Sequence, residues 1–536
     1  MPENTFAMPD RQSSMSMSTS LSRPVPDARL FLVVVIVVLG LYALRMAVMA
    51  HLVQGGVGLH VDEAQYWDWS RDLAWGYYSK PPVIAALIAA STALFGDGVL
   101  AIKALAMLCY PVTSVVLYLL GRDMGGPRVG AIAALLFAVT PLAGLLGLAA
   151  TTDAPLLLAW TLALWCLWRA WHAPSALSWI ALGLACGGGL LSKYTAAAFA
   201  FTVAGFLWSE RHDRAMLVPR LRGLVLVALV ALAVFAPNLV WNAAHGWPTL
   251  RHTAEITASA RSPWALRALA SFTEFTLAQA LVVGPLVVVW ALALALARKP
   301  KASTKSSPSA APPALAYAQA KRLAVWSAVP LLLLGALQAA HAHAEVNWAA
   351  PAAPGLLLLL ALVAAHRPKA WGWLWACVLV HLGLTLAVLL AGDVARLAGR
   401  PLPASLDVWA RMRGWQEAFD SLAPELRSRP GVMVVGTSRA ALAQGAYAWR
   451  TQPIHWSAWS EDGRVMNHYQ LTHPLSLEAG RTQGPVLVLG ESEPPPGLGA
   501  QLGAMHPLAV ATVSASRRVR LHLWEAGSEA NREHAR

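Results

Sequence analysis

Carboxylates and lysines set directly against long apolar runs are the residues of this 536-residue chain best placed to do chemistry. Leu59-His60-Val61-Asp62-Glu63-Ala64-Gln65-Tyr66-Trp67-Asp68-Trp69-Ser70 follows one such run, and Tyr77-Tyr78-Ser79-Lys80-Pro81-Pro82 closes the same segment. An acidic side chain beside a membrane span is costly to desolvate and needs a reason. Asp62 with Gln65 three positions on makes a capping box for a helix through Trp67. A carboxylate at a helix N-terminus also stays ionised, as a general base toward a hydroxyl must. The two roles are compatible. Trp67 and Trp69 read either as an interfacial aromatic belt or as sugar-stacking surfaces. Lys80 is either a snorkelling interface lysine or a cation at headgroup depth, in reach of a lipid phosphate.

Further candidates recur at the ends of later apolar runs. Asp153 lies in Thr151-Thr152-Asp153-Ala154-Pro155, as an N-cap with proline in the first turn or as a second working carboxylate. Lys193-Tyr194 follows Gly187-Gly188-Gly189, and Arg251-His252 lies in a loop that begins at His245. His341, His343 and Glu345 alternate ahead of Asn347-Trp348. That trio could ligate a metal in extended geometry, but no further ligands accompany it, so interfacial hydrogen bonding is expected. The four cysteines, Cys109, Cys166, Cys186 and Cys377, sit in apolar stretches without paired spacing, which argues against disulfides and a cysteine metal site.

The elements that must hold these residues are membrane helices. Hydrophobic residues make up 57% of the chain and charged ones 13%, about half the share in soluble proteins, which excludes a cytosolic globular enzyme. The net charge of +13 is spread in small clusters between apolar spans, so it reads as a topology signal and not as a nucleic-acid surface. A tail over residues 1–27 has a disordered, cytoplasmic composition. The run Ala28–Val53 is an uncleaved first span, and ten more fall near 100–120, 129–148, 154–171, 175–191, 195–210, 221–243, 270–297, 323–340, 349–366 and 370–391. Pro82–Phe95 is short enough to be an interfacial helix in the first outer loop, 54–99. With the N-terminus inside, the basic clusters fall mostly on the cytoplasmic side, including a linker at 298–322, while Arg251, Arg261 and Arg267 lie opposite.

The transmembrane unit is thus 28–391. Beyond it, 392–536 has the composition of a soluble α/β domain, placed outside by the odd number of spans. A helix is expected over Leu406–Leu426, with strands at Gly431–Gly436, Pro485–Gly490, Leu508–Val513 and Arg518–Trp524. No nucleotide-binding or zinc motif is present.

These features in this order resemble bacterial glycosyltransferase family 39, which groups protein O-mannosyltransferases with the aminoarabinose transferases that modify lipid A. The resemblance rests on Asp62-Glu63, Tyr77 to Pro81, Thr152 to Pro155, Leu191-Ser192-Lys193-Tyr194 and Glu345-x-Asn347-Trp348, and continues weakly through Arg413-Gly414-Trp415 and Asn467-His468-Tyr469. It implies a GT-C fold: an all-α polytopic bundle with the small α/β domain appended. It also implies inverting transfer of a sugar from a polyprenyl-phosphate carrier to an envelope glycan or glycolipid, at the outer face of a bacterial inner membrane. The alternatives are a protein acceptor or, from another class, a lipid-linked sugar transporter. Transporters place ionisable groups near mid-membrane, whereas these lie at loop depth. By the resemblance, Asp62 is the base, with Glu63 beside it and Asp153 as a second acidic position. Lys80 contacts the carrier phosphate, and Tyr77, Lys193, Tyr194, Arg251, Glu345 and Asn347 complete the substrate side. No cofactor is called for, and no residue pattern supports a metal, although a divalent cation stays open as an alternative.

Overall fold

The computed structural model describes residues 26–212, 214–258, 265–297, 314–342, 344–400, 402–476, 484–514 and 517–527. The expected N-terminal tail up to residue 25, the linker as far as residue 313, Arg261 and His343 lie outside the described residues.

The membrane part begins with α1 (Pro26–Gln54), followed by α2 (Val61–Arg71), α3 (Val83–Phe95), α4 (Val99–Gly125), α5 (Pro127–Val139), α6 (Pro141–Gly144), α7 (Asp153–His172) and α8 (Ala176–Ser192). It continues through α9 (Phe199–Glu210), α10 (Arg214–Ala244), α11 (Pro248–Ala258), α12 (Ala265–Val283), α13 (Pro285–Leu296), α14 (Ala314–His341), α15 (Ala352–Ala364) and α16 (Ala370–Leu397). Every expected span coincides with helix. Six of the described helices are long and apolar enough to cross a membrane, or eight if each bent pair is one span. Of the remaining expected spans, α8, α9 and α15 are helices of 17, 12 and 13 residues.

Burial sorts these helices. The apolar windows of α4 and α7 are 67% and 72% buried and form the centre, whereas that of α1 is 11% buried and apolar all round, the pattern of a lipid-facing helix. Hydrophobic force is weak between helices in lipid, so close approach depends on small residues. Gly183 and Gly187, one turn apart on α8, meet Val230 and Val234 of α10; a Cβ on either glycine would come within 2.7 Å of a valine carbon. The 95° break between α12 and α13 falls at Gly284-Pro285, where the glycine has φ 115° and proline removes a helical donor.

The tail is an α/β domain, with a five-stranded sheet in the order β2-β1-β3-β5-β4. The strands are β1 (Met433–Gly436), β2 (His455–Ala458), β3 (Val486–Gly490), β4 (Met505–Ser514) and β5 (Val519–Ala526). β1 pairs in parallel with β2 and β3, and β5 runs antiparallel to β3 and β4. The helices are α17 (Trp415–Arg427), α18 (Arg439–Ala448), α19 (His468–Thr472) and α20 (Pro496–Leu502). The expected helix from Leu406 starts only at Trp415, after Gly414 in the left-handed region at φ 82°. That left-handed backbone cannot continue a right-handed helix upstream, and a Cβ on Gly414 would strike the Val513 carbonyl, which restricts the position to glycine. β2, α18, α19 and α20 were not expected; β2 is four residues long and polar at its start, and α19 and α20 are helices of five and seven residues.

This domain docks on the first loop. Val57 and Arg413 form an antiparallel bridge, with the Gly58 N–H donating to the Met412 carbonyl at 2.9 Å. Gln444 Nε2 donates to the Leu59 carbonyl at 2.9 Å, and the Tyr447 hydroxyl to the Asp97 carbonyl at 3.0 Å.

Candidate active site

The first turn of α2 is capped differently from the Asp62/Gln65 expectation. His60 is the N-cap: its Nδ1 accepts from the Asp62 N–H at 3.2 Å, and Glu63 Oε2 accepts from the His60 N–H at 2.8 Å. Asp62 is therefore released from capping. Glu63, expected to be catalytic, is the structural carboxylate. It is 1% exposed, and its Oε1 and Oε2 accept from Lys103 Nζ at 2.5 and 2.6 Å. The Ala150 N–H adds a bond of 2.7 Å to Oε1, so Glu63 ties α2 to α4 and to the turn before α7. Neither of its oxygens is left for substrate.

Asp62, Tyr66, Ser79, Lys80 and His252 form the shared wall of two adjoining chambers, of about 480 and 260 Å³. The larger one reaches down to Asp153, Lys193, Tyr194 and Asn347. The smaller is closed from the other side by Arg439, Met466 and Asn467 of the tail domain.

Asp62 Oδ1 accepts from Arg439 Nη1 at 2.6 Å, and the same nitrogen donates to Gln65 Oε1 at 2.8 Å. Burial pushes the Asp62 carboxyl up, but Arg439 foremost, then His60 and Lys80, outweigh it and hold the group below its ordinary value. Lys80 sits in a turn closed by Tyr77 N–H donating to the Lys80 carbonyl at 3.1 Å and stiffened by Pro81-Pro82. Its ammonium has no hydrogen-bond or ion-pair partner among the described residues. Burial, then the neighbouring Lys193 ammonium, lower its proton affinity. An unpaired cation in a partly desolvated cavity is what an anionic group would fill.

Asp153 is not an N-cap, because Thr152 holds that position. Its Oδ1 accepts from Lys193 Nζ at 2.7 Å and its Oδ2 from Asn347 Nδ2 at 2.6 Å, which neutralises it on the cavity floor. Lys193 reaches it from the extended residue where α8 ends, with φ −162° and ψ 135°. Asn347 comes from a 3₁₀ turn, Val346–Ala349, whose Val346 carbonyl accepts from Gln279 Nε2 at 2.8 Å. The Tyr194 hydroxyl donates to Asn238 Oδ1 at 2.7 Å and accepts from Asn242 Nδ2 at 3.1 Å. Glu345 lines the same chamber.

Two expected substrate residues lie elsewhere. The Tyr77 ring is 1% exposed and stacks on Trp69 at 4.4 Å, and its hydroxyl donates to the Trp69 carbonyl at 3.0 Å. Trp69 is likewise sealed, which removes it as a sugar platform; Tyr78, the next residue, is the one that lines the chamber. Arg251 is exposed on the outer side of α11, and His252, about 100° around the helix, faces the cavity. Among the described residues, no group of three His, Cys, Asp or Glu side chains could hold a metal.

Sequence reading missed Arg439 and Met466 as cavity residues, and it named His252, Tyr66 and Asn467 only as members of longer segments without a role. Asn467 was visible only as part of a weak motif. Gly436-Thr437-Ser438-Arg439 carries a strand-end, N-cap and helix signal, but nothing in it says which surface the arginine meets.

A polytopic bundle with polar residues gathered at one end, beneath an appended α/β domain, is the GT-C fold of ArnT. The structure of ArnT from Cupriavidus metallidurans bound to undecaprenyl phosphate superposes with a TM-score of 0.59 at 16% identity, over 93% of this chain and 98% of that one. The apo form gives 0.57 at 14% identity, with the same coverage. Residues 79–241 match the family model described as dolichyl-phosphate-mannose-protein mannosyltransferase. In sequence the chain is similar to lipid A galacturonosyltransferase RgtD of Rhizobium johnstonii, 32% identical over 315 residues. That likeness covers 58% of this chain and 61% of the relative, under two thirds of its length. The resemblance read from the motifs, the helical membrane architecture and the tail domain therefore agree.

Proposed function

We propose that this protein is an inverting glycosyltransferase that moves a sugar from a polyprenyl-phosphate carrier to a lipid A-like glycolipid on the periplasmic face of a bacterial inner membrane. The observation that carries this reading is the pairing, on one cavity wall, of an ionised Asp62 with an unpartnered Lys80. The likeness to a lipid A galacturonosyltransferase and to a fold solved with undecaprenyl phosphate supports the choice of acceptor and donor.

The chemistry follows from charge. Asp62 has one oxygen on Arg439, and its other oxygen orients the acceptor hydroxyl and takes its proton as that oxygen attacks the anomeric carbon. The bond to the carrier phosphate breaks on the opposite face of the sugar. Charge then collects on the leaving phosphate, and Lys80 stabilises it in a partly desolvated site where water screens it less than in bulk. Asp153, held by Lys193 and Asn347, fixes the cavity floor and keeps Lys193 oriented. The sugar arrives already activated by its lipid phosphate, so no nucleotide is needed.

The test is mass spectrometry of envelope lipids, glycans and polyprenyl-phosphate sugars from cells lacking the gene, complemented with wild type or Asp62→Asn at matched membrane abundance. A sugar increment on a glycolipid that returns only with wild type, while the lipid-linked donor accumulates with the variant, is the expected result. Full restoration by Asp62→Asn would falsify the assignment of the base, and an increment found only on proteins would replace the glycolipid acceptor with a protein one.

A further inference from the structure

Arg439 is held by one nitrogen alone. Its Nη1 is shared between Asp62 Oδ1 and Gln65 Oε1, three positions apart on one face of α2. No hydrogen bond from Nε or Nη2 is found among the described residues, although the side chain is 44% exposed and lines the smaller chamber. Nε and Nη2 form the guanidinium edge that fits two oxygens of a carboxylate or phosphate side by side. Clamping Nη1 sets the direction of this edge before any ligand arrives.

The fold places this arginine where α/β domains bind ligands. β1 lies between parallel neighbours, with the chain leaving it toward β2 on one side and returning to β3 on the other. The carboxyl end of such a strand opens a crevice between the diverging connections. Ser438 caps α18 there, its Oγ accepting from the Ala441 N–H at 3.1 Å, which makes Arg439 the first helical residue and aims it out of the domain.

The charge of the chamber points the same way. Its lining holds Lys80 and Arg439 as cations and Asp62 as the one carboxylate, already paired with Arg439. His252 stays neutral near pH 7, because burial and then Lys80 lower its proton affinity. With Lys80 assigned to the carrier phosphate, one cationic edge is left over, and it faces an enclosure that shares five wall residues with the reaction cavity.

We propose that Arg439 is a specificity-determining residue whose Nε–Nη2 edge binds an oxyanion carried by one of the two reacting molecules. The oxyanion is either the carboxylate of a uronic acid on the donor or a phosphate on the acceptor glycolipid. The identity of these molecules rests on the transferase reading; the anion site itself does not.

The full-length protein in lipid nanodiscs decides this by equilibrium binding of two matched pairs of probes, with wild type, Arg439→Gln and Arg439→Lys. The donor pair is undecaprenyl-phosphate galacturonate against undecaprenyl-phosphate galactose. The acceptor pair is lipid A with and without its phosphates. Wild type is expected to prefer the charged member of one pair by about tenfold or more, and Arg439→Gln to bring that ratio close to one. Arg439→Lys, which keeps the charge but loses the fork, should fall between them, and it decides by the same ratio should the glutamine variant fail to fold. The pair whose ratio collapses names the source of the anion. A wild type with no charge preference in either pair, or a preference unchanged in both variants, overturns the proposal. Transfer is followed separately with Asp62→Asn, so a failed transferase reading leaves the binding ratios standing.

Discussion

At the scale of single residues, the two neighbouring carboxylates Asp62 and Glu63 have opposite fates, and mutation should separate them. Asp62→Asn should leave the fold intact and lower transfer roughly 10²–10⁴-fold, the range for losing a positioned base, with donor binding retained. Glu63→Gln should instead destabilise, because it leaves the Lys103 ammonium buried without its counter-charge. Breaking one side of a buried pair costs about 3–5 kcal/mol, and thermal unfolding of the purified protein would register it. The pH profile of transfer carries a third expectation. The Asp62 carboxyl lies below its ordinary value, held there by Arg439, so the acid limb should be displaced to lower pH than an ordinary carboxylate would give. Burial and the Lys193 ammonium hold Lys80 below the ordinary lysine value, so the alkaline limb should begin earlier than an unperturbed lysine would set it, and Lys80→Arg should move it upward if this ammonium is responsible.

At the scale of elements, α18 packs on α2, and α19 meets the loop after it, to make the seam between loop and tail. His468 Nδ1 accepts from the Tyr78 N–H at 3.4 Å. Burial, then His473 and His245, depress His468 to about 3, so it stays neutral and able to accept. Asp68, on the same seam, is pushed up to about 6 by burial, against the opposing influence of Tyr469, His473 and Arg71. Its folded value lies above its unfolded one, so its contribution is fully present below about pH 4 and lost as pH rises through about 6. Asp68→Asn should therefore raise the unfolding temperature at pH 7.5, by on the order of 1 kcal/mol of stability after screening, and change it little at pH 4. A shift of equal size at both pH values would remove the titration from the account.

At the scale of the whole molecule, the tail domain is part of the cavity wall, because Arg439, Met466 and Asn467 close the smaller chamber. Orientation in the membrane then decides where the reaction occurs. Arg464 is 80% exposed on that domain, and the native cysteines are buried or half-buried in helices. Arg464→Cys, in a background lacking Cys166 and Cys186, should react with a membrane-impermeant maleimide in intact spheroplasts. Labelling only after lysis would put the domain and the cavity in the cytoplasm and sink the periplasmic reading.

The bundle was legible in the sequence because a helix in lipid must satisfy its own backbone and expose apolar side chains, which forces long apolar runs on the chain itself. Asp62, Lys80, Asp153, Lys193, Tyr194 and Asn347 were legible as candidates because polar groups at the ends of such runs need a reason to be there, and the structure places them around one chamber. Tertiary structure decided what local pattern cannot encode. Glu63 and Tyr77 have the same composition cues as their neighbours Asp62 and Tyr78, yet a buried lysine and a stacked tryptophan turn them into supports. Arg251 and His252 differ only by one helical step. Arg439 lies 377 residues from the carboxylate it holds, and only the docking of a separate domain brings the two charges together.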